Sequence, residues 1–373
     1  MRLNGLQDLG DCRRLVVKIG SSLLVEQGEP RKAWLASLVR ELAGLRGRGT
    51  EIVLVSSGAI ALGAAKLGLA RGGRGSLADA QAAASVGQIG LAHLWSENLG
   101  LHDLTAAQIL LTLDDLEDRR RYLNASATFA RLLEAGAVPV VNENDSVATA
   151  EIRFGDNDRL AARVAQAAGA DAVLLLSDVD GLYDRDPALA DAQLIERVEG
   201  ITPEILAMAS GASASGLGSG GMVSKLQAAQ IAERAGIALA IINGTHEAPI
   251  ARAIGQARGT FFVPQRRDGA RKVWLGGRLA AAGTLRVDNG CADALRAGAS
   301  LLAAGVVGVS GSFRRGDLVK IVTMRGDVLA QGLAEYDSAE VQAIAGKRES
   351  EQADRLGYAP RAAIIHRDHL VML

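Results

Sequence analysis

Val16-Val-Lys-Ile-Gly-Ser-Ser22 is an apolar, β-branched run that carries one lysine, Lys18, and then breaks on a glycine and two serines. A strand suits the run because branched side chains fit a pleated surface, and the glycine permits a tight turn. In a parallel sheet, ligands gather at the carboxyl ends of the strands, where N–H groups freed by a glycine turn can meet phosphate oxygens. Lys18 then reads as a phosphate-facing lysine. Taken alone, it reads equally well as a lysine whose stem lies on the sheet while its ammonium reaches water.

The same grammar extends outward from this run. Short apolar stretches at residues 15–19, 51–56, 106–110, 138–141, 172–177, 238–242 and 260–263 read as strands. Between them, residues 32–48, 77–99, 114–134, 157–168 and 224–235 show apolar positions at three- and four-residue spacing and read as helices. Such alternation predicts an α/β three-layer sandwich with a mainly parallel central sheet. Residues 146–154 alternate differently and read as a small hairpin beside the sheet. Beyond residue 263 the chain turns polar and basic, and then small strands at 284–287, 306–309, 318–322, 328–333 and 363–366 alternate with glycine-containing turns. The expected organisation is a catalytic domain over residues 1–265, a linker over 266–279 and a small C-terminal β-barrel over 280–373.

Bulk properties narrow the function classes. The 373 residues are 49% hydrophobic and 22% charged, which fits packed domains and not a disordered chain. A formal net charge of −1 offers no general attraction to nucleic acid or to an anionic membrane. Cys12 and Cys291 lie far apart without paired ligand spacing, so neither a disulfide framework nor a zinc site is expected. The N-terminal residues lack an apolar run, and no stretch approaches a membrane span; a cytoplasmic protein is the expectation.

Five polar or glycine-rich segments stand out at one edge of the predicted sheet, the last of them a pair. Besides the turn after Lys18, Ser57 and Gly58 stand where a strand gives way to a helix, offering unpaired N–H donors to an anion or serving as a plain cap. Asn142-Glu-Asn-Asp-Ser146 piles amides and carboxylates at a strand end, the mixture that a zwitterion needs: Asp145 for an ammonium, Asn142 for a carboxylate. Gly155-Asp-Asn-Asp158 opens a helix; one cap explains one of its polar residues, which leaves Asn157 as a substrate contact. Finally, Ser177 and Asp178 end a buried strand, and Gly216-Leu-Gly-Ser-Gly-Gly-Met-Val-Ser-Lys225 feeds Lys225 into a helix. That loop lacks the P-loop spacing but can still cradle phosphates.

The set VVKIGSS, VSSGAIALG, AAASVGQIGL, VPVVNENDSVATAEIRFGDND, LLLSDVDGLYDRDP and SGLGSGGMVSKLQAA resembles the amino acid kinase family, and within it the members that act on glutamate. The tail, with SGSFRRGDLVKI, LAEYDSAEVQAIAG and AIIHRDHL, resembles a PUA domain. The resemblance implies ATP as phosphoryl donor with Mg2+ carried on it, L-glutamate as acceptor and L-glutamyl 5-phosphate as product, the first step of proline biosynthesis. It also implies proline as inhibitor, a homo-oligomer (dimer or tetramer) and hand-over to glutamyl phosphate reductase. By the same resemblance, ATP contacts fall on Lys18, Ser177, Asp178 and the loop Ser219, Gly220, Gly221, Met222, Val223, Ser224, Lys225. Glutamate contacts fall on Ser57, Gly58, Asn142, Asp145 and Asn157. No direct metal ligand is assigned. Val223 stands where a hydroxyl residue is usual, which places one nucleotide contact in question.

An ionised side-chain carboxylate needs no general base, and no histidine falls in the five segments. Charge screening is the remaining task. Lys18 and Lys225 are expected to hold the transferred group from opposite sides, with Asp178 holding both lysines. The rival readings are a kinase for a different acceptor and an RNA-binding or RNA-modifying protein working through the PUA tail. From residue 280 onward that tail has 11 basic and 11 acidic residues, a poor electrostatic footprint for RNA.

Overall fold

The computed structural model describes residues 3–147, 157–210, 221–264 and 281–372. The expected hairpin over 146–154, the linker, and Ser219 and Gly220 of the glycine loop lie largely or wholly outside the described residues. The chain divides into two compact units, Met1–Asp118 with Asn124–Arg267, and Arg119–Leu123 with Asp268–Leu373.

The larger unit is built on an eight-stranded sheet. Its strands are β1 (Arg14–Ile19), β2 (Glu51–Ser56), β3 (Ala106–Leu111), β4 (Val138–Glu143), β5 (Ala172–Ser177), β6 (Arg197–Glu199), β7 (Ala238–Asn243) and β8 (Thr260–Val263). They lie in the order β3-β4-β2-β1-β5-β7-β8-β6. All neighbouring pairs are parallel except β7 and β8, so β1, β2, β4, β5 and β7 deliver their carboxyl ends to one edge. Lys18 lies opposite Val55 on one side and Leu175 on the other, and Ser177 lies opposite Asn243.

Alternation along the central strand sorts its side chains onto two faces. Leu15, Val17 and Ile19 join Leu54, Leu174, Leu176 and Ala240 in a core closed by helix α1 (Lys32–Gly47) through Trp34, Leu35 and Leu38. Val16 and Lys18 point the other way, where helix α5 (Asn157–Ala168) covers β1 and packs on helix α6 (Met222–Arg234). Both faces are covered, which is why the strands read as continuous apolar runs and not as polar–apolar alternation.

Helices α2 (Ala59–Leu67) and α3 (Leu77–Gly100) cross at unusually close range. A Cβ placed on Gly63 would sit 1.8 Å from the Ala83 carbonyl oxygen, and one on Gly87 would sit 1.8 Å from that of Ala59. The glycines in GAIALG and ASVGQIG are therefore demanded by backbone contact. An expected single helix over 114–134 is instead broken at Asp118, which is extended; Thr112 and Asp115 form a capping box for a short helix, Leu113–Glu117, and α4 (Arg119–Glu134) follows. The short strand β6 and helices Pro203–Ser210 and Pro249–Gln256 were not expected, each being too short to show a period.

The smaller unit holds a five-stranded sheet in the order β10-β9-β11-β12-β13, from β9 (Gly283–Val287), β10 (Val306–Gly311), β11 (Leu318–Val322), β12 (Val328–Leu333) and β13 (Leu370–Met372). It has its own core, centred on Leu285, Ile321, Tyr336 and Ile344. The run expected as a strand at 363–366 instead plugs this core with Ile364 and Ile365, making one isolated bridge to Leu301; the strand paired with β12 lies further on, at β13.

Replacing Gly63 by Ala should lower the urea midpoint by the equivalent of about 1–3 kcal/mol or more, because the added methyl meets backbone that cannot yield. Gly47→Ala, whose added methyl meets nothing within 4 Å, should stay within about 0.5 kcal/mol. Equal effects of the two changes would show that the helix crossing is not under this constraint.

Candidate active site

The floor of the site is ionic. Lys18, carried by β1 to the face beneath α5, places Nζ 2.5 Å from Oδ1 of Asp158 in the first turn of α5. Lys225, in the first turn of α6, places Nζ 3.1 Å from Oδ2 of the same carboxylate. Asp158 is 1% exposed and the two lysines 6% each. Burial works to raise the Asp158 carboxyl, but Lys18 and then Lys225 outweigh it, and the group is held below the usual carboxylate range. Two ammonium groups share one carboxylate beside a cavity of about 660 Å³ that both lysines line. Ion triads of this kind contribute little net stability. Their value lies in what the two ammonium groups face.

The carboxylate between the lysines is thus Asp158, and the expectation that Asp178 holds them is corrected. Asp178 is exposed into the cavity and accepts a hydrogen bond from Ser177 Oγ at 3.2 Å. Asp158 was passed over because an acid in the first turn of a helix is explained by the helix dipole, and its two partners come from strands and helices distant in sequence.

Ser57, Gly58, Arg74, Asn142, Asp145 and Asn157 line the cavity with the lysines. Gly58 has φ +122°, a conformation that only glycine adopts readily, and it starts α2, whose first residues Ala59, Ile60 and Ala61 also line this space. Asn157 donates from Nδ2 to Ser57 Oγ at 2.6 Å and to Asn142 Oδ1 at 3.3 Å, while Asn142 donates to Gln88 Oε1 at 2.8 Å. These bonds fix the amides and leave Asn157 Oδ1, buried, without a hydrogen-bond partner among the described residues. Burial pushes the Asp145 carboxyl up to about 6, against the opposing charge of Arg74. Gln88 and Arg74 were not singled out from the sequence; a glutamine in an amphipathic helix and an arginine in a loop carry no signal of their own.

The same cavity is lined by the Gly20–Ser22 turn, Ser177, Asp178 and apolar surface that includes Leu182, Tyr183 and Met208. The loop after β5 is clamped. Asp180 accepts from Arg258 Nε at 2.8 Å, Asn243 Nδ2 at 3.0 Å and Tyr183 Oη at 3.1 Å, and Thr260 Oγ1 accepts from the Leu182 N–H at 2.7 Å. Gly221 caps α6, and Gly221, Met222 and Lys225 line the cavity. Val223 and Ser224 do not, since a helix sets positions i and i+3 on the same side and turns the two between them away. Among the described residues, no group of three or more His, Cys, Asp or Glu is arranged to hold a metal ion. No helix is long and apolar enough to cross a membrane among them either.

The amino acid kinase family model matches residues 13–243, and the PUA domain model matches residues 283–356. The chain is 64% identical over 373 residues to a glutamate 5-kinase of Novosphingobium aromaticivorans, covering 100% of this chain and 99% of that one. It is 59% identical to a glutamate 5-kinase of Sphingopyxis alaskensis, over 97% of this chain and 98% of that one. A third, from Zymomonas mobilis, is 56% identical over 97% of this chain and 92% of its own. By the family matched across its larger unit, and by relatives aligned from end to end, this chain belongs to the amino acid kinase family and carries a C-terminal PUA domain.

Proposed function

We propose that this chain transfers the γ-phosphoryl group of ATP to the side-chain carboxylate of L-glutamate, giving L-glutamyl 5-phosphate and ADP. The observation that carries the reading is the Lys18–Asp158–Lys225 triad, whose two lysines line a cavity that also carries polar side chains such as Ser57, Asn142, Asp145 and Asn157 and apolar ones such as Leu182 and Met208. Acceptor identity draws support from relatives named glutamate 5-kinase that are 56–64% identical over nearly the whole chain.

The chemistry follows from charge. A glutamate side chain with a pKa near ~4.3 is ionised at neutral pH, so no base is required to make it nucleophilic. The obstacle is the approach of one anion to another. Lys18 and Lys225 answer it from fixed positions, because Asp158 prevents them from repelling each other apart and orients both ammonium groups before any ligand arrives. Preorganised donors act most strongly where charge accumulates, on the oxygens of the transferring phosphoryl group. Asp145 receives the acceptor's ammonium, and the amides of Asn142 and Asn157 fix its orientation. Mg2+ carried on the nucleotide would supply further neutralisation of the phosphates, and Asp178, exposed into the cavity, is the carboxylate that would hold it.

The product is a labile acyl phosphate, which fits a first step of proline biosynthesis in the cytoplasm followed by hand-over to glutamyl phosphate reductase. Proline, sharing glutamate's ammonium and α-carboxylate, fits as an inhibitor of the same recess. A homo-oligomer, and a catalytic domain, linker and PUA domain divided at about residues 265 and 280, complete the reading.

Purified protein given ATP, Mg2+ and glutamate in the presence of hydroxylamine should accumulate the γ-hydroxamate; turnover with aspartate, acetylglutamate, carbamate or UMP in its place would overturn the acceptor. Lys18→Ala and Lys225→Ala should each lower kcat by about 10²-fold or more with glutamate KM changed only a few-fold. Proportionate losses in kcat and glutamate affinity would argue against a transition-state role. For Asp145, a folded pKa raised to about 6 means that the carboxylate is lost as pH falls through that value. The kcat/KM for glutamate should therefore decline below about pH 6 while kcat holds, and a profile flat to pH 5 would remove Asp145 from the ammonium contact.

A further inference from the structure

Arg74 sits in the turn between α2 and α3, and that turn is fixed from both sides. Gly73 has φ +76°, and a Cβ there would meet Ala64 Cβ at 2.9 Å and Ala83 Cβ at 3.1 Å, so the chain is wedged between the two helices immediately before Arg74. Two residues later Ser76 caps α3 by accepting from the Asp79 N–H at 3.0 Å. Leu69 anchors the start of the turn on the cluster of Ile60, Ala64, Ala80, Ala83 and Ala84. Backbone placement thus brings the Arg74 side chain to the wall of the cavity that Ser57, Gly58, Asp145 and Asn157 also line.

The guanidinium has no hydrogen bond or ion pair with a described residue, although Asp145, the buried carboxylate of the same recess, lies within its field. An arginine meant to neutralise Asp145 would pair with it. Held apart, the two present opposite charges to the space between them. A free amino acid has the complementary arrangement, an ammonium and a carboxylate on one carbon, and a guanidinium fork matches a carboxylate in bidentate geometry. On the wall of the same cavity, the start of α2 adds N–H donors and a positive dipole end. The remaining carboxylate of a glutamate is then free to reach toward Lys18 and Lys225.

We propose that Arg74 is a specificity-determining residue of this site: it binds the α-carboxylate of the acceptor and makes a free α-carboxylate a condition of phosphorylation. The assignment rests on the reading of glutamate as acceptor and deepens it. One consequence is chemical discrimination. A glutamate whose α-carboxyl is tied up in an amide, as at the start or in the interior of a peptide, presents the same side chain but leaves Arg74 facing an uncharged group.

The test compares L-glutamate with its α-amide, which keeps the ammonium and the γ-carboxylate, in the wild type and in the Arg74→Gln and Arg74→Lys variants of the full chain. Wild type should favour glutamate over the amide in kcat/KM by roughly 10–100-fold, the worth of a charge-assisted hydrogen bond. In Arg74→Gln, assayed at about pH 8 so that Asp145 stays ionised without the opposing charge, that preference should collapse to about one, through loss on glutamate alone, with the amide's kcat/KM and the KM for ATP unchanged; Arg74→Lys should restore part of it. Parallel loss on glutamate and amide, an unaltered preference, or a rise in the KM for ATP would each overturn the assignment. Should the wild type turn over neither compound, the acceptor reading itself fails and takes this proposal with it, an outcome visible before any variant is measured.

Discussion

One carboxylate holding two ammonium groups governs the architecture of this site. Asp158 must be buried to keep water from screening it, so a helix has to cover the end of β1; Lys18 must rise from the covered face of that strand; and a second helix must start within reach to supply Lys225. The layering of the larger unit satisfies all three demands at once. Because α5 and α6 pack on each other above β1, the three charged groups come from a strand and two helices, and none can move without disturbing the packing of the others. Two ammonium groups in fixed positions are the result, prepared during folding and not assembled around the ligand.

The flanking recesses are constructed with different materials for different tasks. Amides bonded to one another in series, from Gln88 through Asn142 and Asn157 to Ser57, make a polar surface whose orientation is determined before binding. Around the apolar recess, orientation comes from anchoring the loop after β5 at its back, where Asp180 and Thr260 tie it to β7, β8 and the chain following Pro249–Gln256. In both recesses, groups outside the cavity keep those inside it in place.

Much of this was legible in the sequence, for physical reasons that also mark where legibility ends. Strands at 51–56, 172–177, 260–263, 318–322 and 328–333 have the expected bounds because buried strands announce themselves as short, β-branched apolar runs. The cavity-lining character of Lys18, Ser57, Asn142 and Asp145 was readable because polar residues at the carboxyl ends of parallel strands often face ligands, and that of Lys225 because a glycine-rich loop leads into its helix. The role of Asp158 was not. Its pairing with Lys18 and Lys225 spans 140 and 67 residues of sequence, and nothing local distinguishes it from an acid that complements a helix dipole. Asp178 looked the better candidate because it follows a buried strand directly, yet the side chain opens into the cavity instead of turning beneath it. The break at Asp118 was hidden for the opposite reason: the apolar spacing continues through it, and no glycine or proline marks it.

The contact between Gly63 and Gly87 has a meaning beyond packing. Where two helices touch backbone to backbone, no side chain is available between them to absorb a displacement, so they shift as one body. One end of that body begins at Gly58, on the cavity wall, and the other runs out to Gly100. A displacement of α3 is therefore handed to the cavity wall through backbone, without passing through a side chain that lines it.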